Sequence, residues 1–230
     1  MKGEASNSDI VVAIAALNEE KGIGPTIEEI RFVLNNAYFL VVDGRSVDKT
    51  VEIAKNLGAD VVFQKKKGKG EAISQSIKKL DNAKYVVFID ADFTYPAEYI
   101  PHMIEILEDM PEVGMVVGNR FNNKFSFRNA MNNMFYLGNR LLAFAQHVVN
   151  GIKLDDPLSG LRVVKGTVLK GWKPRSKGFD IEAELNYYIE RKGYRIVEIP
   201  IHYRRRWGEK KLKLRHGFSI LNRIIAESLI

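Results

Sequence analysis

Short apolar runs alternate with longer amphipathic stretches through the first half of the chain. Ile10–Ala16 is a continuous apolar run of strand length, and LNEEKGIGPTIEEIRFVL behind it begins as a loop and turns helical. Tyr38–Val42 predicts a second strand, closed by the polar DGRS, and Asp48–Leu57 a helix stopped by Gly58. Ala59–Gln64 reads as a third strand, Gly70–Leu80 as an amphipathic helix, and Tyr85–Ile89 as a fourth strand that runs into Asp90. This β-α rhythm predicts an α/β fold with a mainly parallel central sheet flanked by helices.

The second half is less regular. Val113–Val117 predicts a strand, Phe127–Val149 a mostly helical segment, Ile181–Lys192 a helix stopped by Gly193, and Tyr194–Tyr203 a strand. From Gly217 onward Phe218, Leu221, Ile224, Ile225 and Leu229 fall near one helical face, so residues 217–230 predict a C-terminal amphipathic helix. No repeat and no linker divides residues 1–230, so one domain is expected. The polar start MKGEASNSD carries no apolar segment of the signal-peptide kind. Met134–Val149 is the most apolar long stretch, yet Asn139, Arg140, Gln146 and His147 interrupt it, so membrane contact is expected to be peripheral. The apolar pattern is still running at Ile230, which suggests that membrane helices follow in the natural chain.

Composition narrows the function classes. At 230 residues, with 46% hydrophobic and 27% charged, the chain can build a sizeable core and is not of disordered type. It has no cysteine, which excludes disulfides and thiolate metal sites and fits a reducing compartment. The net charge of +7 is concentrated. Seven Lys or Arg stand between His202 and His216 against Glu209 alone, and Lys65, Lys66, Lys67 and Lys69 form a second cluster. Such patches point to polyanionic partners: a pyrophosphate, an anionic lipid or a nucleic acid.

In open parallel sheets ligands bind beyond the carboxyl ends of the strands, where Asp43 and Asp90 fall. Asp43 by itself reads as a turn or helix-capping residue. Asp90-Ala91-Asp92 is sharper, because residues two apart in extended backbone point the same way and can share one hard cation, Mg²⁺ or Mn²⁺, with substrate phosphates. Lys69-Gly70 at a helix start offers a phosphate contact, whereas Lys65–Lys67 read as an exposed loop. Trp172 and Trp207 read as packing residues, with Trp207 the better fit to a mobile loop. The four histidines lack metal-ligand spacing.

The segments ALNEE (Ala16–Glu20), VVDGRSVDKT (Val41–Thr50), KGKGEA (Lys67–Ala72), FIDADFTYPAE (Phe88–Glu98), GNRF (Gly118–Phe121), DPLSGLRVVK (Asp156–Lys165), GFDIEAEL (Gly178–Leu185) and EIPIHYRRRWGEKKLK (Glu198–Lys213) occur in one order. In this the chain resembles glycosyltransferase family 2, and within it the polyprenyl-phosphate (dolichyl-phosphate) mannose or glucose synthases, from about Ile10 to Leu214. The resemblance implies a GT-A nucleotide-sugar-binding fold. It places Ala15, Leu17, Glu19 and Asp43 around base and ribose, and Asp90, Ala91 and Asp92 at the metal and diphosphate; the helix-start position of Lys69 adds it as a further donor contact. It places Arg120 near the acceptor phosphate, Asp156, Ser159, Gly160 and Arg162 on an acceptor-side loop, and Arg206 and Lys211 on a basic loop that closes over the phosphates. Ala15 stands where the family often has Pro, Leu17 where mannose synthases often have Tyr, Gly44-Arg45 for a common Asp-Gly, Thr94 for Gln, and Lys210 for Ser or Thr. These departures leave GDP-mannose and UDP-glucose both open as donors.

The implied chemistry agrees with the residues. A lipid phosphate is already an anion, so inverting attack on the anomeric carbon needs no strong base; the difficulty is gathering two anions and stabilising the leaving nucleotide. A cation on Asp90 and Asp92 meets the second need, and Arg120, Arg162, Arg206 and Lys211 meet the first. An alternative within the family transfers to a saccharide or protein hydroxyl, with Asp155 or Asp156 as base. A nucleic-acid-binding module is the alternative from another class, but aromatics are not interleaved with the basic runs and the acidic strand ends repel phosphate. Phe135, Tyr136, Leu141, Leu142 and Phe144 read either as a face packed on the sheet or as an interfacial helix presenting the lipid. The expected location is the cytoplasmic face of a membrane.

Overall fold

The computed structural model describes residues 8–80, 82–121, 130–209 and 211–229, without the side chains of 130–133. Phe127, Arg128, the Met131 side chain and Lys210 lie outside the described residues. Seven strands form one sheet: β1 (Ile10–Ala16), β2 (Ala37–Asp43), β3 (Asp60–Phe63), β4 (Tyr85–Asp90), β5 (Val113–Asn119), β6 (Arg162–Lys165) and β7 (Arg195–Pro200), in the order β3-β2-β1-β4-β6-β5-β7. All pairings are parallel except those of β6, which runs antiparallel to both β4 and β5. The helices are α1 (Ile23–Val33), α2 (Thr50–Asn56), α3 (Lys69–Ile77), α4 (Ile100–Asp109), α5 (Ala130–Asn150), α6 (Gly166–Leu169), α7 (Ile181–Arg191) and α8 (His216–Ser228).

The strands alternate in the way two covered faces require. In β1, Val12, Ile14 and Ala16 join one core with α1 and α4, while Val11 and Ala13 join another with α3, α6 and α7. Gly58 and Gly193, the two expected helix stops, have φ of +72° and +80°, the left-handed backbone that glycine reaches without a Cβ clash.

Two elements go beyond the sequence expectations. β6 has only four residues and is recognisable by its partners rather than its length. α4 begins with Pro at its first turn and buries Ile100, Met103 and Leu107, a helical spacing the sequence does carry. α5 does not lie on the sheet: Leu142 packs with Ala183 of α7 and with Ile220 and Ile224 of α8, and Gln146 donates to the Ala183 carbonyl. Its other side leaves Met134, Leu137, Leu141, Phe144 and Val148 exposed, and Phe218 and Ile225 of α8 and Leu229 just after it are exposed as well. No helix among the described residues is long and apolar enough to cross a membrane.

Candidate active site

The site lies at the carboxyl end of the parallel strands. Ala15 is in register with Asp90, and Ala16 with Asp43, so the two carboxylates flank the end of β1. Three non-glycine residues around this edge, Asn18, Arg45 and Phe93, have φ of +50°, +68° and +62°, backbone held in a sparsely populated region.

Asp90 lies under two constraints. The Lys69 ammonium sits 2.6 Å from its Oδ1 and 2.7 Å from Glu182, and Gly160 approaches from the other side, where a Cβ would stand 2.4 Å from Oδ2. Burial alone would raise the Asp90 carboxyl, but Lys69, together with Arg206 and Arg120, holds it below the usual range. Asp92, 2% exposed, shifts the other way, raised by burial and then by the negative charge of Asp90. Its Oδ1 accepts from the Thr94 hydroxyl at 2.6 Å and the Thr94 amide at 3.2 Å. Its Oδ2 lies 2.6 Å from an Arg206 Nη.

Arg206 also pairs with Glu19, and Lys211 lies 4.0 Å from the same Glu19 oxygen. Burial pushes the Glu19 carboxyl up to about 7 against the pull of Arg206, and its second oxygen is buried without a partner. The basic strap is fastened in several places. The Arg204 amide donates to the Thr94 carbonyl at 2.9 Å, its guanidinium grips Glu29, and half-exposed Trp207 meets the Phe93 ring at 4.9 Å.

On the side of the cleft expected to receive the acceptor, Arg120 binds Asp156 through Nε and Nη2, each at 2.7 Å, while its amide donates to the same carboxylate. The rings of Phe121 and Tyr203 cover its guanidinium at 5.3 and 5.5 Å. Tyr95 accepts from the Gly160 amide at 2.7 Å and stands edge-on to Tyr203. Burial raises the Tyr95 hydroxyl, and the positive charge of Arg120 partly opposes the shift.

The structure thus brings together Ala15, Glu19, Lys69, Asp90, Ala91, Asp92, Arg120, Asp156, Ser159, Arg206 and Lys211 around one edge of the sheet. Other residues named from the sequence are held by the protein's own groups. Arg162, expected among the phosphate-gathering cations, is 2% exposed and holds the Ser159 and Pro157 carbonyls and Asn186, so it braces the loop from beneath. Asp43 is fully buried and both its oxygens accept from Ser46, the turn role its residue type suggests. The α3 amino end is closed to phosphate at Gly70, whose amide donates to the Lys177 and Gly178 carbonyls. Leu17 is 43% exposed at the rim. Trp172 packs as expected, stacked on Tyr188. Glu182 and Tyr95 were missed, though both lie in segments whose order was legible.

The donor set fits a divalent cation. Asp92 already holds a positive group, Thr94 aims its carboxylate, and an unpartnered Glu19 oxygen lies close by. No cluster of three or more His, Asp or Glu among the described residues could hold a metal, and an ion sharing its shell with substrate phosphates needs none.

An α/β half ending in paired carboxylates, joined to a half that supplies cations, is the arrangement of a GT-A glycosyltransferase. The chain belongs to glycosyl transferase family 2, whose model matches residues 11–170. It is 32% identical over 212 residues to a dolichyl-phosphate hexose transferase of Haloferax volcanii, covering 91% of this chain and 89% of that one. It is 28% identical to a dolichol-phosphate mannosyltransferase of Pyrococcus furiosus, over 94% of this chain and 62% of that one. Glucosyl-3-phosphoglycerate synthase of Mycobacterium tuberculosis, solved with Mn²⁺, UDP-glucose and phosphoglyceric acid, shares the fold with a TM-score of 0.75 at 24% identity, over 99% of this chain and 81% of that one.

Proposed function

We propose that this enzyme transfers a hexose, with inversion, from a nucleotide-sugar to a polyprenyl (dolichyl) phosphate at a membrane surface. The observation that carries the proposal is the acceptor side itself. It presents the Arg120 guanidinium, and both oxygens of the neighbouring Asp156 are taken by that arginine. Asp155, the other candidate base, is exposed and paired with Arg140. A hydroxyl acceptor needs a free carboxylate to remove its proton. A phosphate monoester is mostly ionised at neutral pH and needs only a cation to receive it. The names of the similar proteins from Haloferax and Pyrococcus support the same acceptor.

Asp90 and Asp92 would hold Mg²⁺ or Mn²⁺, which would supply charge neutralisation for the departing diphosphate. Lys69 fixes Asp90 and Thr94 fixes Asp92, so the two carboxylates keep their aim without substrate. Arg206 and Lys211 are placed to move from Glu19 and Asp92 to the diphosphate. Arg120 receives the lipid phosphate, its bidentate grip on Asp156 limiting its rotation. Ala15, Leu17 and Glu19 border the nucleoside side, and the donor is GDP-mannose or UDP-glucose.

The exposed stripe Met134, Leu137, Leu141, Phe144 and Val148 keeps one face of α5 apolar, and α8, packed against α5, exposes Phe218 and Ile225. Such a face suits the interface between headgroups and acyl chains, where the lipid acceptor resides. Asp92→Ala tests the core of the proposal. With Mn²⁺, donor and dolichyl phosphate, the variant should fold but release no nucleoside diphosphate, and undiminished release would refute the role of the carboxylate pair.

A further inference from the structure

Glu198, within β7, accepts two backbone amides from the loop ahead of β6. Its Oε2 takes the N–H of Asp155 and its Oε1 the N–H of Asp156, each at 2.7 Å. Both carboxylate oxygens are therefore spent on two consecutive peptide groups, which fixes the position and tilt of that turn. The two residues it holds carry the two Asp–Arg pairs of this region: Asp156 grips Arg120 in the cleft, and Asp155 grips Arg140 on α5 at 2.5 Å. Burial raises the Glu198 carboxyl and the two amides oppose that shift, so the bonds serve the ionised form.

We infer that Glu198 is a positioning residue for the acceptor phosphate: it sets Arg120 through the Asp155-Asp156 turn, without touching either substrate. The inference rests on the proposed role of Arg120. Phe121 and Tyr203 restrain the faces of the guanidinium, and among the described residues its in-plane direction is set by Asp156. Glu198 ties the Asp156 backbone directly to β7. A carboxamide cannot replace it, because one of its two ends is a donor and would face a donor amide. A shift of about 1 Å in Arg120 is enough to weaken a bidentate phosphate contact severely. The donor carboxylates, held by Lys69 and Thr94, do not share this support.

The test is steady-state kinetics of Glu198→Gln, with Mn²⁺ present and each substrate varied in turn. KM for dolichyl phosphate should rise about tenfold, while donor KM and kcat at saturating acceptor stay within about twofold of wild type. Hydrogen exchange at the Arg120 Nε–H, read by NMR, should speed up in parallel, which a general loss of stability would not confine to that group. Should Glu198→Gln fold poorly, Glu198→Asp, too short to reach both amides, should give a smaller rise in the same constant. An unchanged acceptor KM, or equal rises for both substrates, overturns the inference. Arg120→Lys separates the two levels. If it raises acceptor KM and Glu198→Gln does not, only the positioning role fails; if it leaves acceptor KM unchanged, the role of Arg120 fails and the inference with it.

Discussion

Replacing Gly160 by alanine probes the most crowded point of the site. The added Cβ would lie 2.4 Å from Asp90 Oδ2 and 3.1 Å from the Tyr95 ring, where ordinary contact begins near 3.4 Å. Gly160 cannot easily retreat, since its amide is bound to Tyr95 at 2.7 Å and Arg162 holds the preceding carbonyl at 2.8 Å. Asp90 must therefore yield by roughly 1 Å, which stretches its 2.6 Å contact with Lys69 beyond hydrogen-bond range. Losing one charge-assisted bond costs about 1.5–3 kcal/mol, and overpacking alone costs about 1–3 kcal/mol. Together these come to ~2.5–6 kcal/mol, which in a domain of this size lowers Tm by roughly 5–24 °C. The larger effect is on function, because a displacement of about 1 Å at a reacting centre can cost ~100-fold in rate. Differential scanning calorimetry, titration with donor and Mn²⁺, and nucleoside diphosphate release measure the three consequences. Gly138→Ala is the control, since its Cβ meets nothing within 4 Å and a helical alanine should hold or raise Tm. A Gly160→Ala enzyme with wild-type Tm and donor affinity would show that Asp90 is not confined as described.

Removing the strap's arginine, Arg206→Ala, frees Asp92 from the group it now holds; Mn²⁺ affinity by calorimetry should tighten about tenfold while turnover falls, and unchanged affinity would refute the competition. Glu19 titrates near 7 because burial favours its neutral form, so its stabilising contribution is present below its ordinary value of 4.5 and lost as pH rises through about 7. Glu19→Gln lacks that loss, and its Tm advantage over wild type should grow between those two pH values and then level off, with ~3 kcal/mol as the upper bound; a gap independent of pH would contradict the assignment. On α5, Leu141→Glu with Phe144→Glu removes about 2 kcal/mol of apolar transfer per side chain. Flotation with anionic vesicles should be lost and turnover of a short, water-soluble polyprenyl phosphate kept; retained flotation would place the membrane contact elsewhere.

The donor half was legible because its signals are local. A strand of uniform apolar residues that runs into an acid needs no distant information to be placed, and Asp90 ends β4 as that pattern reads; Asp92, read as sharing its extended backbone, instead follows in a turn. The charge run His202–His216 was legible as cationic, but not the destination of each charge. Arg206 meets Glu19 across 187 positions, and Arg204 meets Glu29 across 175. Arg162 shows the limit most clearly, since a lone arginine in a loop motif reads as a ligand contact until Pro157, Ser159 and Asn186 close around it. Glu198 shows the converse, because a glutamate in a strand reads as a surface residue unless the amides it receives are known. β6 escaped for the same reason, as four residues carry too little periodicity to announce a strand.

The direction of β6 has a consequence for how such an enzyme can change its substrates. Every parallel strand contributes to the cleft the segment that leaves it, whereas β6, reversed between β4 and β5, contributes the segment that enters it. Lengthening the chain just before Asp155 would therefore remodel the half proposed to receive the lipid, while the register of β1 through β4, and the half proposed to bind the nucleotide, stays as it is. One reversed strand lets recipient preference drift while the sugar carrier is kept.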